Sequence, residues 1–190
     1  MTAFAQHSMN DGKQNRLTTA AQEWRELLTE RLGLAEAKGL CRRVYSQGAS
    51  LIFAECLFDA DACVARNAGW VLTQAAEEER LSLQPLQNRI VDLILATPSS
   101  AVRRLSLNLI LSLPMEEDDL RTDFLDFCLN GMRSLEEPPG IQALCMKMAG
   151  RMCSFYPELM AEFRRTLELM EVEQYTPGVK HLWKKIMQEK

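Results

Sequence analysis

The residues of this chain that could do covalent or acid–base chemistry are few, and their spacing assembles none of the arrangements such chemistry needs. There are two histidines, His7 in a polar N-terminal stretch and His181 near the other end. Neither can build a Ser–His or Cys–His nucleophile pair with an orienting third group. The six cysteines (Cys41, Cys56, Cys63, Cys128, Cys145 and Cys153) form no C-x-x-C pair and fall mostly on apolar helical positions. In that setting a free cysteine fills a core as a small hydrophobe, which argues against a zinc site or a disulfide framework and for a reducing, cytoplasmic compartment. No glycine spacing matches a phosphate-cradling loop. The acidic runs at 77–79 and 116–119 have a plain explanation: the second follows Pro114 at a helix entrance, where carboxylates favour the helix dipole. No catalytic residue, metal or cofactor is expected.

Composition narrows the class further. A chain of 190 residues with 47% hydrophobic content can bury its own core as one domain, and its net charge of −4 argues against broad attraction to nucleic acid or anionic lipid. Polar residues interrupt every apolar run long before the roughly 18 residues a spanning helix requires, so no membrane insertion is expected. Residues 1–16 are small or polar and read as a disordered tail, leaving 17–190 as the folded domain.

The elements that must position any site follow from a repeat. Val64, Val102, Ile141 and Val179 stand 38, 39 and 38 residues apart. Three positions later come Asn67, Leu105, Leu144 and Leu182; at plus four, Ala68, Ser106, Cys145 and Trp183; at plus seven, Val71, Leu109, Met148 and Ile186. Leu86, Phe124 and Phe163 share plus 22, and Ile90, Cys128 and Leu167 share plus 26. Two amphipathic segments per period of about 40 define a helical hairpin that cannot bury both apolar faces alone and must stack on its neighbours. Helices are predicted over 35–46, 49–58, 62–76, 83–96, 100–113, 118–132, 140–154, 157–171 and 178–188, after a first one beginning at Leu17. Proline precedes three of the four aligned positions, and Asp59 to Asp61 or Ser99 and Ser100 offer N-caps. The fold class is all-α: a right-handed α-solenoid of about five stacked hairpins.

The segments LFDADACVARNAGWVLTQ (57–74) and SSAVRRLSLNLILSLP (99–114) resemble HEAT repeats, a family of armadillo-type helical hairpins. Asp59 fits that family's turn aspartate, and Arg103 and Lys180 fit its basic position after the valine. Thr97, Glu136 and Gln174 depart from the first, Ala65 and Gln142 from the second. The resemblance implies that second helices line a concave side, which would carry a basic stripe of Arg66, Trp70, Arg103, Arg104, Lys147, Arg151 and Lys180. Two uses of these cations compete. They could pair with turn acids such as Asp59 and Asp61, each pair worth under about 1 kcal/mol, or act together on a ligand. The implied function is a non-catalytic scaffold binding a protein or peptide on that face. The alternative is a DNA-binding protein similar to the HEAT-like alkylpurine glycosylases, an enzyme of DNA alkylation repair, against which the acidic balance weighs. Trp24, Trp70 and Trp183, and the methionines of the C-terminal half, read as core.

Overall fold

The computed structural model describes residues 20–188, all of them in helices, turns and short connections, with no strand among them. The tail expected over 1–16, including His7, lies outside the described residues. Those described fall into two compact units divided between Pro85 and Leu86.

In the N-terminal unit a first helix (α1, helical over 20–26) leads through a turn to α2 (Leu34–Ser46), α3 (Ser50–Ala54), α4 (Ala62–Leu72) and α5 (Glu77–Arg80). Gly33 caps α2, its N–H donating to Glu36 Oε2 at 2.6 Å. The end of α2 is set by Gly48, the one described residue with a left-handed backbone (φ 61°). There the N–H of Gly48 bonds the Tyr45 carbonyl and that of Ala49 the Val44 carbonyl, which closes the helix with the glycine a left-handed C′ position favours. The helix predicted over 49–58 tightens after Ala54 into a 3₁₀ turn, Glu55–Phe58. Asp61 then accepts the Cys63 N–H at 2.8 Å and starts α4, as its side chain equips it to do. Phe53, Leu57, Val64, Ala68 and Val71 fill the core between these helices, with Trp24 edge-on to Phe53 at 5.5 Å.

The C-terminal unit is three regular hairpins: α6 (Gln87–Ala96) with α7 (Ser100–Ser112), α8 (Thr122–Arg133) with α9 (Pro139–Cys153), and α10 (Pro157–Glu168) with α11 (Pro177–Gln188). First helices α6 and α8 pack together, as do the second helices α7, α9 and α11. Proline occupies the first turn of α9, α10 and α11, where its missing N–H costs nothing and its fixed φ suits the helix. The expected start of α6 at 83 moves to Gln87 because Pro85 sits in a 3₁₀ turn, Leu81–Leu86. That of α8 moves to Thr122, the acids Glu117–Asp119 forming their own 3₁₀ turn.

The repeat register is a burial register. Val64, Val102, Ile141 and Val179 are all at most 2% exposed, and Phe124, Phe163, Ile90, Cys128 and Leu167 at most 1%. Met132, Met146, Met148 and Met152 are buried core, as are five of the six cysteines.

Candidate functional site

One position after the buried valine, the repeats place a side chain that reaches back to the turn it has just left. Arg103 donates to the carbonyls of Ile94 (3.3 Å) and Thr97 (2.5 Å), and Gln142 to that of Ser134 (2.7 Å). Thr97 and Ser134 close α6 and α8, so both side chains satisfy carbonyls that a helix end leaves without partners. What the position requires is a donor rather than a charge, which explains why glutamine stands where the family resemblance calls for a base. In α4 that position is Ala65, and the task passes to Asn67. Its Nδ2 donates at 2.8 Å to the carbonyls of both Leu28 and Glu30, in the turn following α1. In α11, Trp183 Nε1 donates to the Leu167 carbonyl at 2.9 Å.

The expected ion pairs form with different partners. Asp59 is taken by Arg25, at 2.7 and 3.3 Å, not by Arg66. Arg66 lies on the exposed side of α4 against Cys63 Sγ and Asn67 Oδ1. Asp61 is occupied as an N-cap. Arg103 pairs with Glu137 of the next turn at 3.4 Å and stands 5.6 Å over the Phe127 ring, while Lys180 pairs at 3.0 Å with Glu173, itself 95% exposed.

Two and six positions after the buried valine or isoleucine, every second helix turns a pair of side chains outward: Arg66 with Trp70, Arg104 with Asn108, Ala143 with Lys147, His181 with Lys185. All are exposed or half-exposed, and none is a carboxylate. The spacing of four puts each pair on one helical face. Of the predicted stripe, Arg66, Trp70, Arg104 and Lys147 belong to this row. Arg103 and Lys180 are held in turn contacts.

Lys147 and Arg151 are brought together at a pocket of about 390 Å³ between α9, α10 and α11. Arg164 and Lys185 complete its basic lining, and no carboxylate lines it. Its apolar surface comes from Met160, Phe163, Leu182 and Ile186. Gly150 lets α9 approach α10 here: a Cβ on it would stand 3.2 Å from the Phe163 ring. Arg151 is anchored by a 3.2 Å bond to the Leu111 carbonyl. Burial lowers its pKa, and the nearby Asp119 charge opposes that shift. Arg164 was not foreseen in the sequence, because α10 is a first helix and the stripe was drawn on second helices. Burial pushes Cys56 and Cys153 up to about 11 and Cys128 well above the usual range, so these three do not supply a thiolate at neutral pH.

Stacked helical hairpins with a periodic core and donors aimed into their turns define a helical-repeat protein. The model of the HEAT repeat domain matches residues 24–190, and the chain belongs to that family. Comparison with curated proteins and with solved structures returned no match. No helix among the described residues is long and apolar enough to cross a membrane.

Proposed function

We propose that the protein is a non-catalytic interaction scaffold that binds a protein or peptide through the face made by its second helices, the concave face in HEAT-like stacks. The observation that carries this reading is the outward row at plus two and plus six. In the C-terminal unit it repeats in three successive second helices, offers Arg104, Lys147 and Lys185 and contains no carboxylate, while α4 of the N-terminal unit carries its own pair, Arg66 and Trp70. An extended face of this kind suits recognition along a partner's length.

The same proposal takes 17–190 as one repeat domain, supported by a single family model running over 24–190. It places the protein in the reducing cytoplasm, supported by the buried free thiols at Cys41, Cys56, Cys128, Cys145 and Cys153.

A photo-crosslinking amino acid at Asn108, on the row, tests the reading against one at Asp126, exposed on the first helix α8. In lysate of the native host, Asn108 is expected to capture a discrete partner and Asp126 not to. Capture from Asp126 alone, or from neither, refutes the assignment.

A further inference from the structure

We infer that Arg66 and Trp70 of α4 form a docking point for an acidic peptide segment of the partner, receiving a carboxylate together with the apolar side chain beside it. This rests on the interaction function proposed above and names what the N-terminal unit recognises.

The arginine is held in place without meeting a carboxylate. Its Nη2 donates to Cys63 Sγ at 3.3 Å and to Asn67 Oδ1 at 3.1 Å, and its Nε donates to the same Oδ1 at 3.4 Å. The turn acids that could have paired with it are engaged elsewhere, Asp59 by Arg25 at 2.7 Å and Asp61 as the N-cap of α4. Asn67 is itself fixed by two 2.8 Å bonds to the Leu28 and Glu30 carbonyls, so the guanidinium leans on an amide that cannot turn away. Its Nη1 bonds no acceptor among the described residues, and the side chain is exposed. A guanidinium positioned in advance loses less freedom when a carboxylate arrives, and its planar fork matches two carboxylate oxygens.

Trp70 sets the second half of the ligand. Residues four apart share a helical face with their Cβ atoms about 5–6 Å apart, so the indole stands beside the arginine. Trp24 is buried and Trp183 gives its N–H to the Leu167 carbonyl, whereas Trp70 is half-exposed and its N–H bonds no acceptor among the described residues. The ring offers an apolar side chain a surface to cover, and the N–H a second donor to an oxyanion. The count of cations decides between ligands. Affinity for a phosphate backbone grows with the number of phosphates neutralised, and the outward row of α4 supplies Arg66 alone. One carboxylate next to one apolar residue is the ligand that one guanidinium next to one ring fits.

Fluorescence anisotropy with the full chain and three short labelled peptides in a Gly–Ser background tests this. The first carries Glu beside Leu, the second has Lys in place of Glu, and the third has Ser in place of Leu. The first is expected to bind saturably and about tenfold tighter than either of the others. Arg66→Gln should lower its affinity about tenfold and reduce its salt dependence. Arg66→Lys keeps the charge without the fork and should recover only part of that loss. Trp70→Ala should weaken the first peptide about fivefold with its salt dependence unchanged. Lys38→Gln removes an exposed cation from α2 of the same unit and should leave affinity within about twofold. Because Arg66 also touches Asn67, urea unfolding of each variant separates an effect on binding from one on folding.

Equal binding of the Lys-bearing peptide, or an equal loss from Lys38→Gln, overturns the proposal. So does an Arg66→Gln protein that is less stable yet binds the first peptide undiminished, which would leave Arg66 only a brace for Asn67. Tighter, salt-sensitive binding of a single-stranded DNA oligonucleotide than of the first peptide overturns it in favour of a phosphate backbone. Self-association of the chain alone that Arg66→Gln abolishes overturns it in favour of a second copy. If crosslinking from Asn108 succeeds while no peptide binds, the Arg66–Trp70 assignment alone fails. If both fail, the interaction reading fails with it.

Discussion

The two compact units meet one packing requirement with unequal regularity. In the C-terminal unit every first helix is at least ten residues long, α6, α8 and α10. In the N-terminal unit α3 has five residues and passes into 3₁₀, and α5 has four before a 3₁₀ turn containing Pro85. The second helices do not degrade in parallel: α4 buries Val64, Ala68 and Val71 as completely as α9 buries Ile141, Cys145 and Met148. Burial at the shared register, rather than helix length, is therefore what the repeat preserves. Turn chemistry can be reassigned around it, from Arg103 and Gln142 in one unit to Asn67 in the other.

The largest effect should come from the register itself. Phe124 is 1% exposed at the plus 22 position of α8, and Phe124→Ala is expected to cost about 3–5 kcal/mol. Urea denaturation followed by circular dichroism measures it. A loss below about 1 kcal/mol would mean that the register does not carry the stability assigned to it.

Next in size is the donor equivalence. Asn67→Leu strands the buried carbonyl of Leu28 and removes the bond to that of Glu30, and Gln142→Leu leaves the Ser134 carbonyl only its 3.4 Å bond from the Glu137 N–H. Each should cost about 1–3 kcal/mol, because an acceptor at least partly buried loses its better donor. If Gln142→Leu destabilises and Asn67→Leu does not, the two units are not using one device in two places.

A smaller effect carries a change of sign. A Cβ on Gly131 of α8 would stand 2.9 Å from Cys145 Sγ, a fully buried atom with little room to move. Overpacking of about 1–3 kcal/mol then opposes a helix-propensity gain of about 1 kcal/mol. Gly131→Ala should be net destabilising by about 1 kcal/mol. In a Cys145→Ala background the obstructing sulfur is gone and the same change should become stabilising, a reversal that thermal melts of the four proteins in the cycle would reveal.

Much of the fold was legible in the sequence because the buried valines, Phe124, Phe163, Cys128 and Leu167 recur at a fixed distance. That period reflects burial, which apolar residue types signal at most of these positions. The 3₁₀ segments were less legible. Glu55–Phe58 contains good helix formers, and its tightening depends on packing against α4 rather than on propensity. The candidate site was legible in part. Cations on outward positions such as Arg66, Arg104 and Lys147 could be read from helical spacing. Which cations are occupied could not, because their partners are set by stacking: Arg25 finds Asp59 34 residues away, and Arg151 the Leu111 carbonyl 40 residues away. Asn67 did leave a signal, a polar residue at a position where the other repeats have leucine.

The smallest effect compares turn acids. Burial alone would raise the Asp59 pKa, but the Arg25 hydrogen bonds, the Asp61 N–H and the Arg25 charge together hold it below the ordinary carboxylate value. A carboxylate depressed in the folded state contributes stability that is present above its unfolded pKa of about 3.9 and lost as pH falls through the folded value. Asp59→Asn should therefore cost under about 1 kcal/mol near neutral pH, since Arg25 is partly solvated, and progressively less as the solution is acidified. Glu173→Gln, at a carboxylate that is 95% exposed in its pair with Lys180, should show no measurable effect at neutral pH. Urea titrations of both variants at neutral and acid pH make the comparison. A pH-independent loss for Asp59→Asn would mean that the stabilisation does not come from the charged pairing with Arg25, since asparagine retains an oxygen to accept the Asp61 N–H.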